Sequence, residues 1–217
     1  MKNDWPEYEK AWDEYKQKWK MLDDYLYKLC EKNPGHDSLN VINAKVWIIG
    51  RTYATGIERN AQPGSGQALE RITKHLWENK EGLDLIFDEL KKVVEPLSTD
   101  NLSVILKLHG EFNKLLKGTL RGSAPSFVSK YMHFHCPIVP IYDSIALDCL
   151  TKRYRWNQSY QVCDSELADE EYYRFCMRFW QLYEKAPDRE KTVKRLDNYL
   201  LWRPTHIDDL IKVQIAP

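Results

Sequence analysis

The sequence predicts an all-α fold, and three observations predict it. Apolar and aromatic residues recur every three to four positions through most of the chain. No convincing run alternates apolar and polar residues with the two-residue period of a strand. Pro, Gly or Asn closes most of the periodic segments. The chain has 217 residues, of which 43% are hydrophobic and 29% charged. That is enough to bury one sizeable core. The expected architecture is a single compact unit over residues 1–217, with about eight to ten helices arranged as two lobes around a cleft.

The elements follow in order. Trp5, Tyr8, Trp12, Tyr15, Trp19, Leu22, Tyr25, Leu26 and Leu29 form a stripe with charges between, giving an amphipathic helix over residues 5–32 that packs on the core. Asn33-Pro34-Gly35 stops it. Residues 40–60 begin as an apolar run read as a helix, although KVWIIG alone would pass for a strand, and end in the polar string GRTYATGIER. Gln62–Gln67 is a turn without the pattern of a phosphate loop. Helices are expected at 68–80 and 82–94, the second broken by Glu95-Pro96, with N-cap chemistry from residues 98–101 for a helix over 101–117. Gly118 stands where a helix C-terminus wants glycine, and Pro125 where the next helix begins. That helix ends near His135, before Pro137. Further helices are expected at 144–155, 170–185 and 189–202, with a polar linker at 157–165 and Arg203-Pro204 ending the last.

The formal net charge is zero, which argues against a nucleic-acid binder unless charge is polarised locally. It is polarised: residues 106–131 hold Lys107, Lys114, Lys117, Arg121 and Lys130 against the single acid Glu111. Five scattered cysteines, odd in number and without CxxC spacing, fit reduced thiols and a cytoplasmic location. No apolar run approaches the roughly 20 residues of a membrane span, and the N-terminus lacks a signal-peptide core. A monomer without membrane association is expected.

Chemistry concentrates between Leu115 and Ile145. Two helices joined by a short glycine-bearing turn with a basic rim make a helix–hairpin–helix candidate over residues 101–135. Backbone N–H groups at such a turn can grip a phosphate without reading a base, and Lys117, Arg121, Gly122, Ser123, Ser126 and Lys130 are the candidate contacts. Asp143 falls at the N-cap of the following helix. His133, His135 and Cys136 form one short cluster without a distant partner pair, which points to core or hydrogen-bonding use rather than a metal site.

Leu120-Arg121-Gly122-Ser123-Ala124 opening a helix, followed by Pro140-Ile141-Tyr142-Asp143 capping another, resembles the helix–hairpin–helix DNA glycosylase superfamily, with an 8-oxoguanine-glycosylase-like fold. Two departures stand out: one extra residue before Asp143, and Ala124 where the hairpin usually has its second glycine. The resemblance implies that Asp143 stabilises the oxocarbenium-like transition state of N-glycosidic cleavage in double-stranded DNA. Strand-cutting members place a lysine nucleophile at the start of the second hairpin helix. Here registering on Gly122 puts Ser126 there, so the expected activity is monofunctional, releasing a base and leaving an abasic site. Lys130, one turn on, is either a displaced nucleophile or a phosphate or structural contact. A nucleophilic lysine must also be held deprotonated, which favours the latter. Arg51, Tyr53, Glu58 and Arg59 become candidates for holding a flipped base, against the simpler reading of a surface Arg–Glu pair. WIIGRTYATGIER together with SFVSKYMHFHCPIVPIYDS is similar to a bacterial group with that fold, some of whose members act in anti-phage defence on hypermodified bases such as glucosylated hydroxymethylcytosine. No cofactor or metal is implied. The alternatives are a repair glycosylase for oxidised bases, a non-catalytic nucleic-acid-binding module, and a protein-interaction scaffold.

Overall fold

The computed structural model describes residues 6–154, 168–187 and 191–205. They form eleven α-helices and one π-helical turn, with no strand among the described residues. The predicted linker 157–165, together with Trp5, Trp156, Cys163 and residues 189–190, lies outside them. None of the described helices is long and apolar enough to cross a membrane.

The aromatic stripe at the N-terminus makes two helices rather than one, α1 (Pro6–Lys18) and α2 (Lys20–Lys32), broken at Trp19. A straight rod over this stretch would run about 40 Å. The break lets α1 pack on the last helix, α11 (Val193–Thr205), while α2 packs on α8 (Pro125–His135). It also changes which residues face inward. Asp23, Leu26 and Cys30 are buried on α2, whereas Trp19 and Tyr25 of the expected stripe are exposed.

The apolar run at 40–49 is helical: α3 (Leu39–Trp47), capped by Ser38, continues directly into the π-helical turn Ile48–Thr52. Inserted π turns widen a helix and recur at functional sites. Ala54 then adopts a φ of 50°, a left-handed conformation strained for a residue with a Cβ. There follow α4 (Ile57–Asn60), α5 (Ala68–Glu78) and α6 (Lys80–Leu90).

Ser98 caps α7 (Thr99–Leu115), whose end at Leu115 precedes the expected one by two residues. Gly118 takes a φ of 91° in the turn that follows. Segment 60–62 braces that turn: Arg121 N–H donates to the Asn60 carbonyl and Gln62 N–H to the Thr119 carbonyl, both at 2.8 Å. Asn113 Oδ1 accepts from Ala124 N–H at 2.9 Å, tying α7 to the entry of α8. Beyond α8 come α9 (Ser144–Arg153), α10 (Glu170–Lys185) capped by Asp169, and α11, whose last turn carries past Arg203-Pro204 to Thr205. Such shifts of a residue or two are ordinary at helix ends.

At the centre lies α8, buried on every side from Phe127 to Phe134 and packed against α2, α6, α7 and the π turn. The Tyr131 ring sits among Phe87, Phe112 and Phe127. Polar groups on this helix find partners. His133 Nδ1 is 2.7 Å from the Val139 carbonyl. That nitrogen therefore carries the proton, and Nε2 accepts from the Tyr27 hydroxyl at 2.5 Å. Burial pushes the His133 imidazole down to about 3, keeping it neutral. The histidines of the HFHC string thus serve the core: His133 through these bonds, His135 stacked on Tyr131.

Candidate active site

Ser129 and Asp143 fix the segment between α8 and α9. Ser129 Oγ accepts from Tyr142 N–H at 3.0 Å, and Asp143 Oδ1 accepts from Ile145 N–H at 2.9 Å as the N-cap of α9. The second Asp143 oxygen then faces α8, where Lys130 Nζ donates to it at 3.1 Å. Two more acceptors complete the ammonium's set, the Tyr53 carbonyl at 3.0 Å and Ser126 Oγ at 3.2 Å. The lysine side chain is only 6% exposed and the aspartate 23%. Lys130 can bond the Tyr53 carbonyl because the π turn delivers that residue over α8.

This pair borders a cavity of about 610 Å³, within the range of roughly 300–1,000 Å³ of typical small-molecule sites. Its walls come from distant parts of the chain: α1 and α2, residues 52–54, α8, the Asp143 cap and α11. Trp19, Trp202, Leu22 and Ile141 supply apolar surface. A second charged group lies on the same wall as Tyr15. Lys194 Nζ is 2.7 Å from Asp23 and 3.8 Å from Asp197. Asp23 also accepts from the Tyr15 hydroxyl at 2.9 Å and the Tyr53 hydroxyl at 2.5 Å. Burial pushes the Asp23 carboxyl up, but Lys194 and the two tyrosines outweigh it and hold the group below the usual carboxylate range. Asp197 has no such set of donors. Burial carries its carboxyl up to about 6 despite Lys194.

The sequence candidates separate into three places. Asp143, Lys130, Ser126 and Tyr53 meet at or beside this cavity. Arg51 and Glu58 do not: they pair with each other at the surface at 3.0 and 3.2 Å, with the guanidinium over the Trp47 ring. Arg59 is exposed and lies against Gly56. Lys117, Arg121, Gly122 and Ser123 line another cavity, of about 340 Å³, together with Lys114 and Gly118. Asp169 also borders it, its carboxylate engaged by Tyr172 N–H. Lys130 is absent from that basic cavity and belongs to the larger one. Asp23, Lys194, Asp197 and Asn198 also line the larger cavity and are not among the sequence candidates. Among the described residues no group of three or more His, Cys, Asp or Glu side chains could hold a metal ion.

Chemically, an amine and a carboxylate in contact at a cavity wall can exchange a proton and can face a developing positive charge. Comparison with protein families, with curated proteins and with solved structures finds no match, so the functional case rests on this geometry.

Proposed function

We propose that the protein is a DNA glycosylase that receives a flipped, modified base in the larger cavity and breaks its N-glycosidic bond at the Lys130–Asp143 pair. The observation that carries this reading is the pair itself, 3.1 Å apart at the wall of a cavity large enough for a substituted base. The basic turn between α7 and α8, read as the hairpin of a helix–hairpin–helix, supports DNA as the partner. Its cavity gathers Lys114, Lys117 and Arg121 around the backbone of Gly118, Gly122 and Ser123. The turn runs directly into α8, whose second turn carries Lys130, so a phosphate held at the turn limits a nucleotide's reach toward the pair.

By one route Lys130 passes one proton to Asp143, leaving an amine that still donates to Tyr53 and Ser126. The C1′–N bond breaks with its electrons going to the base, which takes the proton from Asp143. The regenerated carboxylate faces the oxocarbenium-like sugar as its charge develops. The Nζ lone pair then forms an N–C1′ bond. Transfer of a proton from Nζ to the ring oxygen, with cleavage of the C1′–O bond, leaves an iminium and an open sugar. A second route is favoured by the three acceptors around Lys130, which take up all three N–H donors of its Nζ. There a water attacks, Lys130 only orients Asp143, and the enzyme is monofunctional.

One experiment separates these. Genomic DNAs carrying different base modifications, hydroxymethylated and glucosylated phage DNA and oxidised DNA included, are incubated with the protein and scored for alkali-labile sites with and without borohydride. A covalent adduct lost in Lys130→Ala supports the amine route; sites without an adduct select the water route. Asp143→Asn should slow either by about 10²–10³-fold, the usual cost of an electrostatic stabiliser, while DNA binding persists. Absence of sites on every DNA would sink base excision altogether. Activity confined to glucosylated phage DNA would favour the anti-phage role over repair.

A further inference from the structure

The base-excision reading leaves one part of the cavity without a task. On α11, Asp197 and Asn198 both line it, yet Asp197 Oδ1 and Asn198 Nδ2 are buried without any hydrogen-bond partner. Asp197 is 2% exposed and Asn198 8%. Lys194 stands 3.8 Å from Asp197 Oδ2, beyond hydrogen-bond distance, and its short contact is with Asp23. A buried acceptor and a buried donor left unmade, side by side in sequence, carry the full cost of desolvation with nothing in return. That cost falls in the lining of the cavity that holds Lys130 and Asp143, which the Trp19 and Trp202 rings also line.

We propose that Asp197 Oδ1 and Asn198 Nδ2 form the recognition edge of the cavity, accepting from an N–H donor and donating to the adjacent acceptor of a nucleobase. The proposal rests on the base-excision reading for the class of ligand, and adds the residues that select it. Only one Asp197 oxygen is free of Lys194, so the edge takes one donor beside one acceptor. Two kinds of base offer this: amino-bearing bases, in which an exocyclic NH₂ adjoins a ring nitrogen, and lactam bases, in which a ring N–H adjoins a carbonyl. Burial holds the Asp197 carboxyl up near 6, and a donor arriving from the ligand would relieve that. Sites built on buried polar groups reject analogues lacking the matching group, because the protein atoms are then left unpaired again.

The test uses free nucleosides and needs no turnover, so it fails separately from base excision. Quenching of tryptophan fluorescence is followed as the whole protein is titrated with cytidine and adenosine, with uridine and inosine, and with N4,N4-dimethylcytidine, N3-methyluridine and 1-methylinosine, which lack the donor. At least one donor-bearing nucleoside should bind about tenfold or more tightly than its methylated counterpart, and the two arms tell amino from lactam. Asp197→Asn, Asp197→Leu and Asn198→Leu, each checked for a cooperative thermal transition, should reduce that preference to within about twofold. Equal binding of methylated and unmethylated nucleosides, a preference unchanged in folded variants, or no binding by any nucleoside overturns the proposal, whatever the DNA assay shows. A preference lost in the variants alongside inactivity on all DNAs would retain the edge and discard excision.

Discussion

Replacing Asp197 by Asn should stabilise the protein at alkaline pH, and the effect should fade with acid. The carboxyl is 2% exposed and its value is carried from the ordinary 3.8 to about 6, mainly by burial. A folded-state value above the unfolded one means that the folded state binds the proton more tightly. The stability this group contributes is therefore complete below about 4 and is lost as pH rises through 6. At roughly 1.36 kcal/mol per pKa unit, ionised Asp197 costs about 3 kcal/mol at pH 8, and about half of that has been recovered by pH 5. Asn removes the titration while leaving Lys194 its 2.7 Å contact with Asp23. The new amide N–H₂ carries its own burial cost of roughly 1–3 kcal/mol, but that cost is the same at every pH. The informative quantity is thus the change in ΔΔG between pH 8 and pH 5, which should be on the order of 1 kcal/mol in favour of Asn at the higher pH. Urea unfolding of both proteins at the two pH values measures it, provided m-values agree. A pH-independent ΔΔG would refute the assignment of a buried, poorly compensated carboxylate.

Two further outcomes follow from the same electrostatics. His36, His109 and His133 are buried, and burial drives them down to about 4, 4 and 3 respectively, with Asp84 opposing at His36. Their folded values lie below the ordinary 6.5, so the stability they provide is present above 6.5 and lost as pH falls toward the folded values. Unfolding free energy should drop by several kcal/mol from pH 7.5 to 4.5, outweighing the gain at Asp197; a flat denaturant-midpoint profile would contradict their burial as neutral rings. At the basic turn, Lys117→Gln and Arg121→Gln should each lower the salt-dependence slope of DNA binding by about 0.9. An unchanged slope would remove these residues from the phosphate contacts.

Much of the fold was legible because helix periodicity and punctuation are local. Ser98, Asp143 and Pro125 mark helix starts from sequence alone, and each does so in the structure. The break at Trp19 was not legible, since it follows from what α1 and α2 pack against, not from their own residues. The same holds for GRTYATGIER. A mixture of Arg, Glu and Tyr reads as a pocket wall, but the π turn points Tyr53 at the cavity while Arg51 and Glu58 neutralise each other outside. Yet the missed residues did leave a trace. Val193, Leu196, Asp197 and Leu200 fall at i, i+3, i+4 and i+7, so Asp197 occupies a core position of its helix. Asp23 does the same between Leu22 and Leu26. A charge on an apolar stripe is the signal, because the stripe alone marks only the core face.

Burial of charge does not by itself mark a site, as the two buried lysines show. Lys45 is fully buried, donates to the Asn33 carbonyl at 2.7 Å, and is pulled down to about 8 by burial. By the criterion of a perturbed basic group it would be the better nucleophile. It borders neither of the two cavities described, however, and its environment is packed core around Cys30 and the Asp84–His36 pair. None of its surface is exposed. Lys130 meets the conditions that Lys45 lacks: cavity access and a carboxylate at 3.1 Å. Its cavity is also lined by residues that cost the fold stability, the left-handed Ala54 and the unmade bonds of Asp197 and Asn198. A core selected only for stability would have exchanged those polar groups for apolar ones of similar volume. Their presence in the lining that also holds a paired amine and carboxylate is why the proposal places chemistry at Lys130 and a structural role at Lys45.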